Sequence, residues 1–121
     1  MGCLRWTSED YAGITLITFQ DSTMLDTLAI EQLGRELGDL AAGLKTPKLV
    51  LDFRHVKGLS SQMLGILLTL HKKVESLKGR MVLCGLRPDL MKVFVLTGLD
   101  KLFRFYPDDA AGLAAFGVRV G

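Results

Sequence analysis

The stretch Leu49–Val74, LVLDFRHVKGLSSQMLGILLTLHKKV, decides how the fold of this chain is predicted. Its first residues form a short, nearly continuous apolar run, which is typical of a strand inside a sheet that helices cover. From Ser61 onward, apolar residues recur at three- and four-residue intervals, which predicts an amphipathic helix with one face on the core. Ser60 and Ser61 lie where one pattern changes to the other. The stretch therefore predicts a strand, a corner and a helix that begins at the serines.

Strand-like and helix-like segments alternate along the rest of the chain as well. Gly13–Gln20 is rich in β-branched and aromatic residues and predicts a strand buried at least in part on both faces. The other predicted strands are Leu4–Ser8, Lys48–Phe53, Arg80–Leu86 and Lys101–Pro107. The predicted helices are Thr27–Ala42, Ser61–Leu77, one between Pro88 and Gly98, and one from the cap Asp108 through Phe116. This order is typical of an α/β fold, a mixed β-sheet of about four to five strands covered by about four α-helices.

Apolar spacing within the first two long helices predicts which side chains face the core. In the first helix these are Leu28, Leu33, Leu37 and Leu40, and in the second they are Met63, Leu67, Leu70, Val74 and Leu77. Asp26 or Thr27 is a natural N-cap for the first helix, and Gly43 a natural stop.

Length and composition favour one domain over residues 1–121. The chain is 49% hydrophobic, and its net charge of +2 arises from 15 basic and 13 acidic residues that are spread along it, which argues against a nucleic-acid partner. Cys3 and Cys84 have no metal-ligand spacing, and Cys84 lies in an apolar run, so both are expected to be reduced thiols and Cys84 a core residue. Without a signal peptide or a membrane-spanning run, a cytoplasmic protein with no direct membrane insertion is expected.

The sequence lacks the motifs of the common enzyme classes. Phosphate-loop, dinucleotide-binding, nucleophile-elbow and zinc-protease motifs are all absent, so no catalytic residue, metal or cofactor is predicted. Asp52 ends a strand beside the serines, but a single carboxylate makes no active site. His55 and His71 are predicted to lack carboxylate or cysteine companions at metal-ligand spacing. Asp108 and Asp109 are interpreted as the N-cap and a first-turn residue of a helix.

Two segments resemble the STAS domain family, and within it the bacterial anti-sigma factor antagonists. They are LVLDFRHVKGLSSQMLGILLTL, from Leu49, and GRMVLCGLRPDLMKVFVLTGLDKLFRF, from Gly79. The resemblance implies a binding module that regulates sigma-factor-dependent transcription. Its partner would be an anti-sigma factor that is also a serine protein kinase, with a serine phosphatase and a homodimer as further possibilities.

The resemblance also implies a phosphorylation switch. The typical family member has Asp-Ser-Ser-Gly, in which the first serine is phosphorylated, and that serine corresponds here to Ser61. Ser60, Gln62 and Met63 stand where the family has aspartate, serine and glycine. Phosphate at Ser61 would add about −1.5 to −2 charges to a docking surface, and it would meet the positive end of the helix dipole. Ser60 is the second candidate phosphoacceptor.

The partner-binding surface that the resemblance implies comprises the serine loop, the start of its helix and part of the next helix. Its predicted residues are His55, Lys57, Gly58, Ser60, Ser61, Gln62, Met63, Met91 and Val95.

Two other interpretations remain open. Ser60 is also predicted to be the N-cap of the helix, a role that requires no regulation. If both Ser60 and Ser61 are only structural, the chain would be a non-switching scaffold of the same fold, or an accessory subunit of a transporter complex. A small hydrolase or nucleotide-binding enzyme is the third hypothesis.

Overall fold

The computed structural model describes residues 5–21, 23–24 and 27–117. The strands are β1 (Trp6–Tyr11), β2 (Ile14–Phe19), β3 (Thr23–Met24), β4 (Lys48–Asp52), β5 (Gly58–Leu59), β6 (Arg80–Cys84) and β7 (Phe105–Tyr106). The helices are α1 (Thr27–Ala42), α2 (Ser61–Ser76), α3 (Pro88–Leu96) and α4 (Asp109–Ala114), with one turn of 3₁₀ helix at Leu99–Lys101. The α/β fold is therefore confirmed.

The main sheet has five strands in the order β1-β2-β4-β6-β7. β1 pairs with β2 antiparallel, and the other neighbouring pairs are parallel. β3 and β5 form a separate two-stranded parallel ladder. Because β2, β4 and β6 run in the same direction, their carboxyl ends lie at one edge of the sheet, and α1, α2 and α3 begin near that edge.

Helices cover the sheet on both faces, which explains why β2 is buried at all six of its positions. On one face the strands pack against the apolar sides of α1, α2 and α3 in the larger core. On the other face Leu16, Val50 and Val82 pack with Leu113 of α4 in a smaller core. Cys84 is completely buried in that smaller core, as predicted, and burial raises the pKa of its thiol.

Several predicted boundaries and contacts differ from the structure. The first strand lies at Trp6–Tyr11, later than predicted, and the last strand shrinks to Phe105–Tyr106 because the 3₁₀ turn uses part of the predicted segment. Leu28 is 75% exposed, so its predicted core contact is wrong; it lies on the outer side of the first turn of α1, whereas Ala29 and Ile30 of the same turn are buried. Cys3, Leu4 and Asp26 lie outside the described residues.

Candidate functional site

Ser60 is the N-cap of α2, as predicted. Its backbone is extended, with φ −86° and ψ 164°, and its Oγ accepts a hydrogen bond from the Met63 amide at 3.2 Å. Serine suits this place because its short side chain can accept from an amide that has no partner inside the helix. The Ser60 carbonyl also accepts from the Leu64 amide at 3.2 Å, as the first bond of the helix. The hydroxyl of Ser60 therefore has a structural role at the start of α2.

Ser61 is the first residue of α2, and it is exposed. The 16-residue helix has no acidic side chain in its first turn. The positive end of the helix dipole therefore meets solvent at Ser61 without a compensating carboxylate from the helix itself. A negative group on the Ser61 oxygen would be favoured by this environment.

The residues after Ser61 have structural roles. Gln62 is half-buried, and its Nε2 donates to the Thr27 carbonyl at 3.1 Å, which joins the start of α2 to the start of α1. Met63 is completely buried in the larger core. The prediction that Met63 contacts a partner is therefore wrong, since its position on the inner side of α2 leaves it no exposed surface.

The loop before the serines brings the remaining predicted docking residues to the same edge. His55 and Lys57 are exposed, whereas Val56 between them is completely buried. Gly58 is half-buried and lies in β5, paired with Thr23 of β3. The loop is thus anchored by one apolar side chain while its two polar neighbours face solvent.

The outer side of α3 is a shallow apolar groove. It is lined by Pro88, Met91, Lys92, Val95 and Leu96. Val95 is 54% exposed and Leu96 is 85% exposed. An apolar groove of this kind is more typical of a protein contact surface than of ordinary surface. Leu96 is not among the predicted docking residues. The sequence does indicate that it belongs to the groove, because it follows Val95 on a helix whose buried residues are Leu90 and Phe94.

Leu28 is a second exposed leucine that was not predicted to lie in the docking surface. It follows Thr27, whose carbonyl is bound by Gln62 at the serine corner. That hydrogen bond places the beginning of α1 beside the beginning of α2, and Leu28 with it.

Asp52 is almost fully buried at the end of β4, with an exposed fraction of 1%. Its Oδ1 accepts from the Arg54 amide at 3.0 Å. Its Oδ2 lies 2.9 Å from Arg54 Nε, in an ion pair without the alignment that a hydrogen bond requires. Burial raises the pKa of Asp52, and the Arg54 amide and guanidinium oppose that effect.

The His71–Glu75 pair and the capping residue Asp108 bear on the question of catalysis. His71 is 9% exposed, and its Nε2 lies 3.3 Å from Oε1 of Glu75, so one carboxylate does accompany it on α2. The spacing of four residues on one helix was sufficient to find this pair. Within residues 5–21, 23–24 and 27–117, no group of three or more potential ligand side chains is arranged to hold a metal ion. The predicted cap Asp108 accepts from the Ala111 amide at 2.8 Å, which confirms its structural role.

The sequence profile of the STAS domain family matches residues 5–111. The chain therefore belongs to the STAS domain family. Its relatives include BtrV of Bordetella bronchiseptica, a protein assigned provisionally as an anti-sigma factor antagonist, with 32% identity over 69 residues. That match covers 57% of this chain and 60% of BtrV, so the chain spans less than two thirds of this relative.

Solved structures agree with this membership. An anti-sigma factor antagonist (STAS) domain protein from Planctomyces limnophilus superposes with a TM-score of 0.80 at 24% identity, over 95% of this chain and 98% of that one. The phosphorylated form of SpoIIAA, the Bacillus cell fate determinant, superposes with a TM-score of 0.69 at 21% identity, over 92% of this chain and 99% of that one. At these identities the likeness establishes the fold.

Among the described residues, none of the helices combines the length and the apolar character needed to cross a bilayer.

Proposed function

We propose that this chain is a regulatory binding module of the anti-sigma factor antagonist kind. In its unphosphorylated form it binds an anti-sigma factor that is also a serine kinase, which frees a sigma factor for transcription in the cytoplasm. Phosphorylation of Ser61 ends the binding, and a serine phosphatase restores it. The chain acts by binding and catalyses no reaction of its own. The observation that carries the proposal is the exposure of Ser61 at the first position of α2.

The three departures from the family's Asp-Ser-Ser-Gly pattern are consistent with this function. Ser60 replaces an aspartate, and both residue types are among the preferred N-caps, so the capping chemistry is preserved while a charge is removed. Gln62 joins α2 to α1, and Met63 fills the core. Of the four positions, Ser61 is the one that is exposed and whose side chain makes no observed hydrogen bond.

Phosphate at Ser61 would change the docking surface chiefly through charge. Lys57 and His55 in the preceding loop are exposed, and the unphosphorylated corner carries no carboxylate from the first turn of α2. A partner with acidic side chains at this place fits the unmodified corner. About two added negative charges would repel the same partner.

The proposed docking surface has a polar and an apolar part. The polar part contains His55, Lys57, Gly58, Ser60, Ser61 and Gln62, and the apolar part contains Met91, Val95, Leu96 and Leu28. Exposed Val95 and Leu96 provide the apolar area that a stable complex requires at its centre. Phosphorylation then needs to act only at one end of the surface to release the partner.

The test uses the purified chain, ATP and each anti-sigma serine kinase of the source organism. Mass spectrometry should locate phosphate on Ser61, and calorimetry should show that the unmodified chain binds the kinase. A Ser61→Glu variant should bind at least about tenfold more weakly, which corresponds to about 1.4 kcal/mol. Ser60→Ala tests the second candidate phosphoacceptor, because it removes that hydroxyl and leaves Ser61 available; it should still be phosphorylated on Ser61.

Two results would contradict the proposal. Phosphate on Ser60 in preference to Ser61 would move the switch to the capping residue. Wild-type affinity in the Ser61→Glu variant would indicate a non-switching scaffold or a transporter accessory subunit, the alternative that the altered motif leaves open. Size measurement by light scattering in the same samples separates a homodimer from a complex with the kinase.

A further inference from the structure

The Arg54 side chain lies between two carboxylates that belong to different elements. On one side, Nε is 2.9 Å from Asp52 Oδ2, at the end of β4. On the other side, one terminal nitrogen is 3.7 Å from Asp109 Oδ2, in the first turn of α4. Asp52 is buried, whereas the Asp109 side chain is 34% exposed. The guanidinium thus connects the interior of the sheet with the start of α4.

The chain around Arg54 has little room to move. The Arg54 amide donates to Asp52 Oδ1 at 3.0 Å, so backbone and side chain of one residue bind the same carboxylate. Gly85 closes the other side: a Cβ at that position would lie 2.7 Å from Asp52 Oδ1 and 3.1 Å from the Arg54 nitrogen. Gly85 also has φ +71°, which glycine adopts without strain. The carboxylate therefore sits in a close-fitting backbone pocket.

This cluster lies where the chain passes from one face of the sheet to the other. Val50 belongs to the core beneath α4, and by strand alternation Asp52 points to the same face. Phe53 belongs to the larger core, where its ring lies 5.0 Å from that of Phe19. The loop then continues to Ser60, six residues after Arg54. The start of that loop is thus held by charges on the α4 face, and its end begins α2 on the opposite face.

We infer that Arg54 is a positioning residue for the serine corner, and that its bridge from Asp52 to Asp109 holds the loop so that Ser61 is presented in one orientation. The inference rests on the proposed function for its regulatory meaning, because Ser61 is the docking and phosphoacceptor residue there. It adds that α4, on the opposite face of the sheet, influences the docking surface. A disordered loop would have to be ordered on docking, and that cost weakens binding to the kinase.

The experiment compares hydrogen exchange and phosphorylation in three variants of the full chain. Arg54→Met keeps most of the side-chain stem and removes both ion pairs, whereas Asp109→Asn removes only the outer one. Glu75→Gln is the matched control, since it breaks the pair with His71 near the other end of α2. The Val56 amide, which donates to the Phe53 carbonyl at 2.9 Å, reports on the loop. Amides of β6 report on the global fold.

In Arg54→Met we expect exchange at Val56 to become about fivefold faster or more, and in Asp109→Asn about twofold faster, with β6 unchanged. The kcat/KM for phosphorylation of Ser61 should fall by about fivefold in Arg54→Met and stay at the wild-type value in Glu75→Gln. If Arg54→Met does not fold, Arg54→Gln, which also removes both ion pairs, takes its place.

The inference is overturned if the Val56 amide exchanges at the same rate in Arg54→Met and Asp109→Asn as it does in Glu75→Gln. Normal phosphorylation of Arg54→Met would overturn it as well, because the loop would then be loosened without consequence for Ser61. Failure of the proposed function would give a different result, because the wild-type chain itself would be neither bound nor phosphorylated by any of the kinases. The exchange measurements would in that case still decide whether Arg54 holds the loop.

Discussion

The hydroxyl oxygen of Ser60 accepts a hydrogen bond from the Met63 amide at 3.2 Å, which assigns different roles to two adjacent serines. Ser60 is used to begin α2, while Ser61 is left exposed on its first turn. A phosphate on Ser60 would have to displace this cap. A phosphate on Ser61 would leave it in place, which is the physical basis for preferring Ser61 as the phosphoacceptor.

Replacement of Ser60 by alanine should lower the free energy of unfolding by about 1 kcal/mol, because the Met63 amide loses its partner at the helix start. Urea unfolding followed by circular dichroism measures the change. Ser61→Ala is the control and should stay within about 0.5 kcal/mol of the wild type, as is usual for an exposed position. Equal losses in the two variants would show that the cap does not distinguish the two serines.

Replacement of Met63 by alanine should lower the free energy of unfolding by about 2 to 5 kcal/mol, since it leaves a cavity among completely buried side chains. Met91 is half-buried at the outer side of α3, so Met91→Ala should cost clearly less. Chemical denaturation of both variants makes the comparison. A small effect at Met63 together with a loss of kinase binding would restore its predicted role as a contact residue.

Stability should depend on pH through Asp52. Burial raises its pKa in the folded state above the value of 3.8 that an unperturbed aspartate has, so the folded state takes up this proton more readily than the unfolded state. The contribution of Asp52 to stability is therefore fully present below about pH 3.8 and is lost as the pH rises through the raised value.

Asp52→Asn isolates this effect, because the other titrating groups are common to both proteins. Urea unfolding between about pH 3.5 and 7 should show the wild type losing stability relative to Asp52→Asn as the pH rises. The opposite slope would mean that the ion pair with Arg54 outweighs the cost of burying the charge.

Replacement of Leu96 by aspartate should weaken kinase binding by about tenfold or more, because it places a charge in the apolar groove of α3. The side chain is 85% exposed, so the free energy of unfolding should change by less than about 0.5 kcal/mol. Surface plasmon resonance and thermal unfolding measure the two effects. Leu102→Asp, at an exposed leucine outside this groove, is the control and should bind as the wild type does. Wild-type affinity in Leu96→Asp would remove the groove from the docking surface.

Local sequence patterns were sufficient for much of the fold. The bounds of α1, Thr27–Ala42, are those that the leucine spacing and Gly43 predict, and α2 begins at Ser61 as predicted. The caps Ser60 and Asp108 were also predictable, because a capping bond joins residues only three positions apart. The alternation of strands and helices was enough to predict the α/β class, because each element has its own hydrophobic periodicity in the sequence.

The roles of individual side chains at the serine corner depended on packing between distant segments. The apolar spacing of α2 already predicts that Met63 faces the core, whereas only the tertiary structure exposes Leu28 and joins Gln62 to Thr27 across 35 positions of the chain. The bridge from Arg54 to Asp109 likewise needs β4 and α4 to meet at one edge of the sheet. A periodic pattern shows which side of a helix is apolar. Whether a residue at the end of that helix is buried depends on which other elements pack against it. The sequence by itself therefore determined the elements and the cap, and the assembled sheet decided which residues remain available to a partner.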